Sequence, residues 1–167
     1  MELRAIQQPI KESYRIDPDS ARITLVARGL AEDSPMACSV DLGRAIYAAQ
    51  AHAGVGGSGT AACSGDLLLG ALAACAQLTC QMVAANMGLP VDRVAVTVEG
   101  DLDLRGTLGT ADVPVGFPTI RVHFDLGGTD LPPDRLARLR ERTERYCVVL
   151  QTLLTRPAIE TTWSTGE

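Results

Sequence analysis

Two cysteines in contrasting helical surroundings are the residues of this 167-residue chain best suited to chemistry. Cys75 lies inside the apolar run Leu67–Ala76, and Cys147 follows the charged stretch Arg140–Tyr146. One thiolate could attack the O–O bond of a peroxide, and a second thiol could capture the resulting sulfenic acid before it oxidises further. Such a pair raises the hypothesis of peroxide reduction, although either cysteine taken alone is better explained as a small core residue.

Composition and length predict one ordinary globular domain over residues 1–167, with 46% hydrophobic and 21% charged residues. The net charge of −5 argues against a nucleic-acid partner. The stretch Met1–Ala5 lacks the apolar core of a secretory signal, so we expect a cytoplasmic protein with reduced thiols. Five irregularly spaced cysteines and two histidines favour neither a disulfide framework nor a metal site, and no cofactor is expected.

The segment Leu67–Met87 is long enough to raise the question of a membrane span. Polar residues interrupt it, and no basic residues flank it closely. A helix buried on all sides inside a soluble protein is the better interpretation, and no membrane partner is expected.

The elements that must position the first thiol are strands followed by a central helix. Residues Arg22–Arg28 and Ala37–Leu42 have the composition of strands. A glycine-rich loop at Ala53–Gly59 matches no nucleotide-binding pattern and is interpreted as a flexible connector. The central helix should begin near Ser64 or Asp66 and end at Gly88.

The second thiol follows two further strands. Alternating apolar residues predict strands over Asp92–Gly100 and Ile120–Phe124, joined by a loop. A second helical region should then run from Pro132 to just before Pro157 and contain Cys147, and Ala158–Ser164 should form a last strand. This order predicts an α+β domain in which a largely antiparallel sheet packs on two helices. Because the central helix is apolar on all sides, a dimer that covers it is expected.

The residues around both cysteines resemble the OsmC/Ohr family of organic hydroperoxide reductases. The resemblance is strongest in the run Ser64–Cys75 and in Tyr146–Leu150, and it extends loosely from Ile23 to Trp163. The predicted order of strands and helices agrees with the family's order.

The resemblance implies an intertwined homodimer whose subunits both contribute to each active site. Cys75 falls on the family's peroxidatic position and Cys147 on its resolving position. The implied activity is thiol-dependent reduction of organic hydroperoxides without a cofactor, through a Cys75 sulfenic acid and a Cys75–Cys147 disulfide. A small dithiol, of lipoyl type in well-known members, would reduce that disulfide.

The resemblance also implies an arginine that keeps Cys75 ionised and an acid that holds the arginine. Asp66 lies where many relatives carry an acid, but the adjoining position of the arginine-holding glutamate is Gly65. Arg28 and Arg44 are the candidate arginines, with Arg44 preferred, and a solvated surface arginine is the alternative for each. Val148 also departs from the proline that many relatives place after the second cysteine.

Three other cysteines are interpreted as structural. Cys80 lies about 140° around the helix from Cys75, so the two cannot form a redox pair on one face. Cys63, at the helix entrance, could be a third thiol near the site but is better explained as a loop residue, and Cys38 is a strand residue. His52 could line a pocket mouth, but no catalytic triad is supported.

Two other functions compete with the peroxidase hypothesis. A non-enzymatic dimer with this fold could bind a small apolar molecule or lipid, and the residues at 65 and 148 favour it. A cysteine-dependent acyl transferase is less well supported, because no general base is evident.

Overall fold

The structure is a computed structural model that describes residues 3–17, 22, 24, 28–31, 37–41, 46–127 and 130–165. It has an α+β architecture, as predicted. The elements, in chain order, are α1 (Leu3–Ile16), β1 (Arg28–Ala31), β2 (Ala37–Asp41), β3 (Ile46–Gln50), α2 (Ser64–Asn86), β4 (Ala95–Asp101), α3 (Leu104–Thr107), β5 (Thr119–Asp125), α4 (Pro133–Tyr146) and α5 (Val148–Leu154).

Helix α2 begins and ends close to the predicted residues because its ends carry clear signals. Cys63 is the N-cap residue, and the Asp66 carboxylate accepts a hydrogen bond of 2.9 Å from the Cys63 backbone N–H. Gly88, two residues beyond the helix, has a φ of 63°, a left-handed conformation that favours glycine. The predicted central helix is thereby confirmed.

Only one face of α2 is buried within the chain. That face packs against β4, α4 and α5, and its buried residues are Leu72, Ala76, Thr79, Cys80, Val83 and Ala84. On the opposite side, Leu78 remains 58% exposed. By length and composition alone α2 could cross a membrane, with 33% of its most apolar window buried. The prediction of a helix buried on all sides is therefore wrong for the single chain.

Two antiparallel sheets accompany the helices. Strands β4 and β5 pair with Val98 opposite Val122, and they cover the buried face of α2. Strands β1, β2 and β3 form a separate antiparallel sheet. The prediction of largely antiparallel strand pairing is confirmed. Strands β4 and β5 begin and end within one to three residues of the predicted boundaries.

The N-terminal part of the chain differs from the predicted run of strands. Residues Leu3–Ile16 form helix α1, with Leu3, Ile6 and Ile10 recurring at helical spacing in the sequence. Pro9 lies inside this helix and obscures the pattern. Of the predicted strand Arg22–Arg28, only Arg28 belongs to a strand, since Arg22 and Thr24 have no regular structure and the other residues lie outside the described ones.

The C-terminal part agrees with the prediction in its helical region and differs in the last strand. The helical region consists of two helices, since Cys147 ends α4 and precedes α5 with an extended ψ of 104°. The predicted strand Ala158–Ser164 is wrong for the single chain, because this segment has no regular structure and Trp163 is 94% exposed. A strand requires a hydrogen-bonded neighbour, and none pairs with this segment among the described residues.

The glycine-rich loop is folded into a compact turn. His52 caps a short 3₁₀ turn over Ala53–Val55, and its Nδ1 atom accepts a hydrogen bond of 3.0 Å from the Gly54 N–H. A Cβ atom at Gly57 would lie 1.6 Å from the Ala51 carbonyl oxygen, so this close approach excludes any side chain. The loop therefore has a defined path to the start of α2.

Candidate active site

The interruption between α4 and α5 positions Cys147 and two backbone amides. The Cys147 N–H donates to the Thr143 carbonyl at 3.0 Å, and the Cys147 carbonyl accepts from the Gln151 N–H at 2.9 Å. The first N–H groups of a helix have no partner within that helix. At the start of α5, the N–H groups of Val148 and Val149 are therefore available to the two thiols.

Cys75 packs against the buried cluster that contains Cys147, and the Cys147 thiol acts as a hydrogen-bond donor that lowers the pKa of Cys75. Both are free thiols. Their burial is the reverse of what their sequence surroundings suggest, because Cys147 is 0% exposed whereas Cys75 is only partly buried. Cys75 lies at the border between the buried and exposed faces of α2. The accessible thiol of the pair is therefore Cys75.

Neutral hydrogen-bond donors lower the pKa of Cys75. Burial alone would raise that pKa, but the Val149 N–H, the Cys147 thiol, the Thr79 hydroxyl and the Val148 N–H all donate to the sulfur and outweigh it. Donors to the charged form favour ionisation. A proline at position 148 would have no N–H, so the valine found here supplies one of these donors.

The pKa of the Cys147 thiol is shifted in the opposite direction. Burial raises its pKa, and the neighbouring Cys75 sulfur raises it further, against the smaller lowering effects of the Leu150 and Val149 N–H groups. The thiolate is thus more stable at Cys75 than at Cys147. This division of roles suits a nucleophile beside a hydrogen-bond donor.

Thr79 is the side chain that sequence reasoning missed. It lies four residues after Cys75, so both share one face of α2, and this spacing could have identified it. A lowered pKa means that Cys75 becomes protonated at a lower pH than an ordinary thiol. Its reaction with an alkylating agent should follow the same pH dependence.

Replacing Thr79 with valine should shift this alkylation profile to higher pH. The change removes one donor to the thiolate while retaining side-chain volume. Since a hydrogen bond to a charged group contributes about 1.5–3 kcal/mol, alkylation of Cys75 near pH 7 should slow by about tenfold. The measurement is the rate of iodoacetamide labelling of Cys75 against pH.

Thr143→Val is the matched control for this experiment. Thr143 is equally buried, but it lies against Cys80 instead of Cys75. Its replacement should leave the Cys75 profile in place. If both variants shift the profile alike, or neither does, Thr79 does not act as a specific donor.

The predicted supporting acid, Asp66, does not lie beside Cys75 within one chain. Asp66 is exposed at the start of α2, about 13 Å along the helix from Cys75. The Cys63 N–H lowers the pKa of Asp66, so within one chain the carboxylate acts as a helix cap. At Gly65, a Cβ atom would lie 3.2 Å from the Phe117 ring, which fills the space beside this position.

The predicted activating arginine remains a prediction. Arg44 lies outside the described residues, and of Arg28 only the backbone, in β1, is described. Within the described part of the chain, the groups that set the pKa of Cys75 are neutral donors. Either arginine would add to a thiolate that these donors already stabilise.

The remaining described cysteines lie apart from the pair. Cys80 is on the buried face of α2 but packs in a different cluster, with Val94 and Leu139, and burial raises its pKa against a smaller lowering effect of Thr143. Cys63 precedes Cys75 by twelve residues, about 18 Å along the helix, so it is not a third thiol of the same chain's site. No cluster of three potential metal ligands occurs among the described residues.

Comparisons with solved structures identify similar folds at low sequence identity. An OsmC-like protein from Mycoplasma pneumoniae is 17% identical with a TM-score of 0.65, covering 80% of this chain and 89% of its own. An organic hydroperoxide resistance protein OsmC from Legionella pneumophila is 18% identical with a TM-score of 0.57, covering 81% and 92%. An organic hydroperoxide resistance protein from Elizabethkingia anophelis is 14% identical with a TM-score of 0.59, covering 81% and 91%.

The family assignment comes from a sequence profile. None of the curated proteins matches the chain significantly. The profile of the family described as OsmC-like protein matches residues 57–162, which contain both thiols and the elements that position them. This chain is therefore a member of the OsmC-like protein family.

Proposed function

We propose that the protein reduces organic hydroperoxides with Cys75 as nucleophile and Cys147 as resolving thiol. The Cys75 thiolate attacks the distal oxygen of the hydroperoxide, an S–O bond forms and the O–O bond breaks. The alkoxide takes up a proton and leaves as the alcohol, and Cys75 becomes a sulfenic acid. Sulfur of Cys147 then displaces the hydroxyl group, so that an S–S bond forms and water leaves.

The observation that supports this proposal is the packing of a partly exposed thiol whose pKa is lowered beside a buried thiol whose pKa is raised. Peroxide attack requires a thiolate that the substrate can reach, and Cys75 is better suited to this than Cys147. Disulfide formation requires a second sulfur within bonding range without large backbone movement. Cys147 belongs to the cluster against which Cys75 packs and is therefore the proposed resolving sulfur.

The proposed reductant is a small dithiol of lipoyl type. Since Cys147 is fully buried, a reductant reaches the disulfide most readily at the Cys75 sulfur. A small flexible dithiol can enter such a site and then close on itself, which releases both protein thiols. The proposed setting is the cytoplasm, where thiols stay reduced.

The proposed assembly is an intertwined homodimer. The exposed side of α2 carries an apolar stripe of small and branched residues, namely Ala71, Ala74, Leu78 and Ala85. Two helices with such stripes can pack closely against each other. The exposed segment Ala158–Ser164 has strand-forming residues without a strand partner, and a second subunit would supply one.

Replacing Leu78 with glutamate should convert the dimer into monomers. A carboxylate in the centre of a helix–helix interface would be desolvated without a partner, which costs several kcal/mol. Leu108→Glu is the control, because Leu108 is similarly exposed but belongs to the loop after α3. Light scattering coupled to size-exclusion chromatography measures the mass. A monomeric wild type, or a dimeric Leu78→Glu variant, would contradict this interface.

Turnover of cumene hydroperoxide with dihydrolipoamide as reductant tests the activity. The wild type should consume peroxide steadily, and Cys80→Ser should do so at a similar rate. If the wild type consumes no more peroxide than buffer with dithiol, the protein is not a peroxidase.

A second candidate function is binding of a small apolar molecule. A largely apolar cavity of about 770 Å³ lies between β5, α4 and α5, lined by Cys80, Phe124, Leu136 and Leu154 among others. Neither thiol of the pair lines it. Binding there should therefore survive Cys75→Ser, which separates this function from the peroxidase.

A further inference from the structure

Helix α1 forms one wall of a groove that reaches the thiol pair. The groove has a volume of about 750 Å³ and lies between α1, α2 and α4. Its lining, here called the α1 groove, is Gln7, Gln8, Lys11, Thr79, Met82, Val83, Asn86, Arg142 and Tyr146. Thr79 belongs both to this lining and to the donors around Cys75. The groove therefore extends to Thr79, one helical turn from Cys75, although neither thiol of the pair lines it.

Polar contacts hold α1 against α2 at this position. The Gln7 carbonyl oxygen accepts a hydrogen bond of 3.3 Å from the Asn86 amide, and the Gln7 amide lies 3.9 Å from the Met82 sulfur. On the α4 side, the Arg145 guanidinium lies 5.6 Å from the centre of the Tyr146 ring and supports it. These contacts hold the walls of the groove in place.

The charge of the lining is positive although the protein as a whole is acidic. Among the described residues of the lining, Lys11 and Arg142 are the charged ones, and none carries a carboxylate. Neither cation forms an ion pair within the described part of the chain, and Glu12, beside Lys11 in sequence, pairs with Arg15 at 2.8 Å. Two unpaired cations that share a groove favour an anionic ligand.

The rest of the lining suits an organic molecule. Met82 and Val83 offer apolar surface, while Gln8 and Thr79 offer polar groups. A ligand whose anionic group meets Lys11 and Arg142 would extend its organic part along the groove towards Thr79. Its far end would then approach the Cys75 sulfur.

We propose that the α1 groove selects organic hydroperoxides that carry an anionic group, with Lys11 and Arg142 binding the anion and directing the peroxide to Cys75. This inference rests on the proposed peroxidase function and adds a substrate class to it. Residues 57–162 match the family profile, so Lys11 and the whole of α1 lie outside the matched region. Arg142, on α4, lies inside the matched region, so the proposed anion site combines one residue from each part of the chain.

A matched pair of substrates tests the proposal. Cumene hydroperoxide is neutral, and its para-carboxylated form differs from it by one anionic group. The wild type should show the higher kcat/KM for the carboxylated form. The double variant Lys11→Gln with Arg142→Gln should lose this preference by about five- to tenfold, because each exposed ion pair contributes modestly. The kcat/KM for the neutral form should stay nearly unchanged.

Arg138→Gln is the control, since Arg138 is an exposed arginine of α4 outside the groove lining. It should retain the wild-type preference. An unchanged preference in the double variant, or an equal loss in Arg138→Gln, would overturn the proposal.

Equilibrium binding keeps this test separate from the activity. Calorimetry with the para-carboxylated cumyl alcohol, the reaction product, requires no turnover. If no hydroperoxide is consumed but this alcohol binds the wild type more tightly than the double variant, the peroxidase function fails and the anion site stands. If hydroperoxide is consumed but the carboxylate improves neither binding nor kcat/KM, the proposed anion site is contradicted and the peroxidase function stands.

Discussion

Replacing Cys75 with serine is expected to reduce turnover of cumene hydroperoxide by at least about 10³-fold. The donors around position 75 favour a thiolate, but they cannot ionise a hydroxyl group, whose pKa lies far above that of a thiol. Cys147 cannot take over the attack, because it is fully buried and its pKa is raised. The measurement is steady-state consumption of peroxide with an excess of dithiol.

Cys80→Ser provides the matched control for that experiment. Cys80 is on the same helix and is more buried than Cys75, and its pKa is raised instead of lowered. It packs in a different cluster of buried residues from Cys147, so its loss should leave turnover largely intact. Turnover above a tenth of wild type in Cys75→Ser, or an equal loss in Cys80→Ser, would show that the reacting thiol has been misidentified.

Replacing Cys147 with serine should separate the first chemical step from the second. A serine hydroxyl can still donate a hydrogen bond to the Cys75 thiolate, so attack on the peroxide should continue at a rate near that of wild type. Without a sulfur to displace the hydroxyl group, the sulfenic acid persists and oxidises further to the sulfinic acid. We expect a burst of about one equivalent of alcohol, followed by turnover below about 1% of wild type.

Rapid-quench measurement of the alcohol, with dimedone labelling of the protein, follows both phases of this experiment. The label should map to Cys75 and accumulate only in the variant that lacks Cys147. Sustained turnover by Cys147→Ser would mean that another thiol, or the reductant itself, resolves the sulfenic acid. Absence of the burst would mean that Cys147 is needed for the attack as well.

The parts of the fold that could be predicted from the sequence have strong local signals. Helix α2 combines a long apolar run with capping at Asp66 and a glycine just beyond its end. Strands β4 and β5 alternate apolar and polar residues, and this period of two is not easily confused with a helix. The thiol pair was predicted from its resemblance to a family, and the structure adds the packing of Cys75 against the cluster that contains Cys147.

What could not be predicted depends on tertiary contacts. The donors to Cys75 include two backbone N–H groups that become available only because the chain changes direction at Cys147. No propensity marks that interruption, since the apolar residues continue at helical spacing across it. The segment Ala158–Ser164 has a strand-like composition, yet a strand also needs a neighbour, which the single chain does not provide there.

The groups expected to ionise Cys75 differ between the sequence-based prediction and the structure. The sequence suggested a charged group, either Arg28 or Arg44, held by an acid near the start of α2. The described structure instead surrounds the sulfur with neutral donors from α2 and α5, chief among them the Val149 N–H. An arginine would strengthen this arrangement, and the donors alone already lower the pKa of the thiol.

The most direct test of the central claim is to map the disulfide formed after oxidation. The reduced protein is treated with one equivalent of cumene hydroperoxide, alkylated and analysed by intact mass and peptide mapping. We expect a Cys75–Cys147 disulfide in wild type and in Cys80→Ser, and none in Cys75→Ser. A protein that remains fully reduced, or a disulfide that joins any other pair of cysteines, would contradict it.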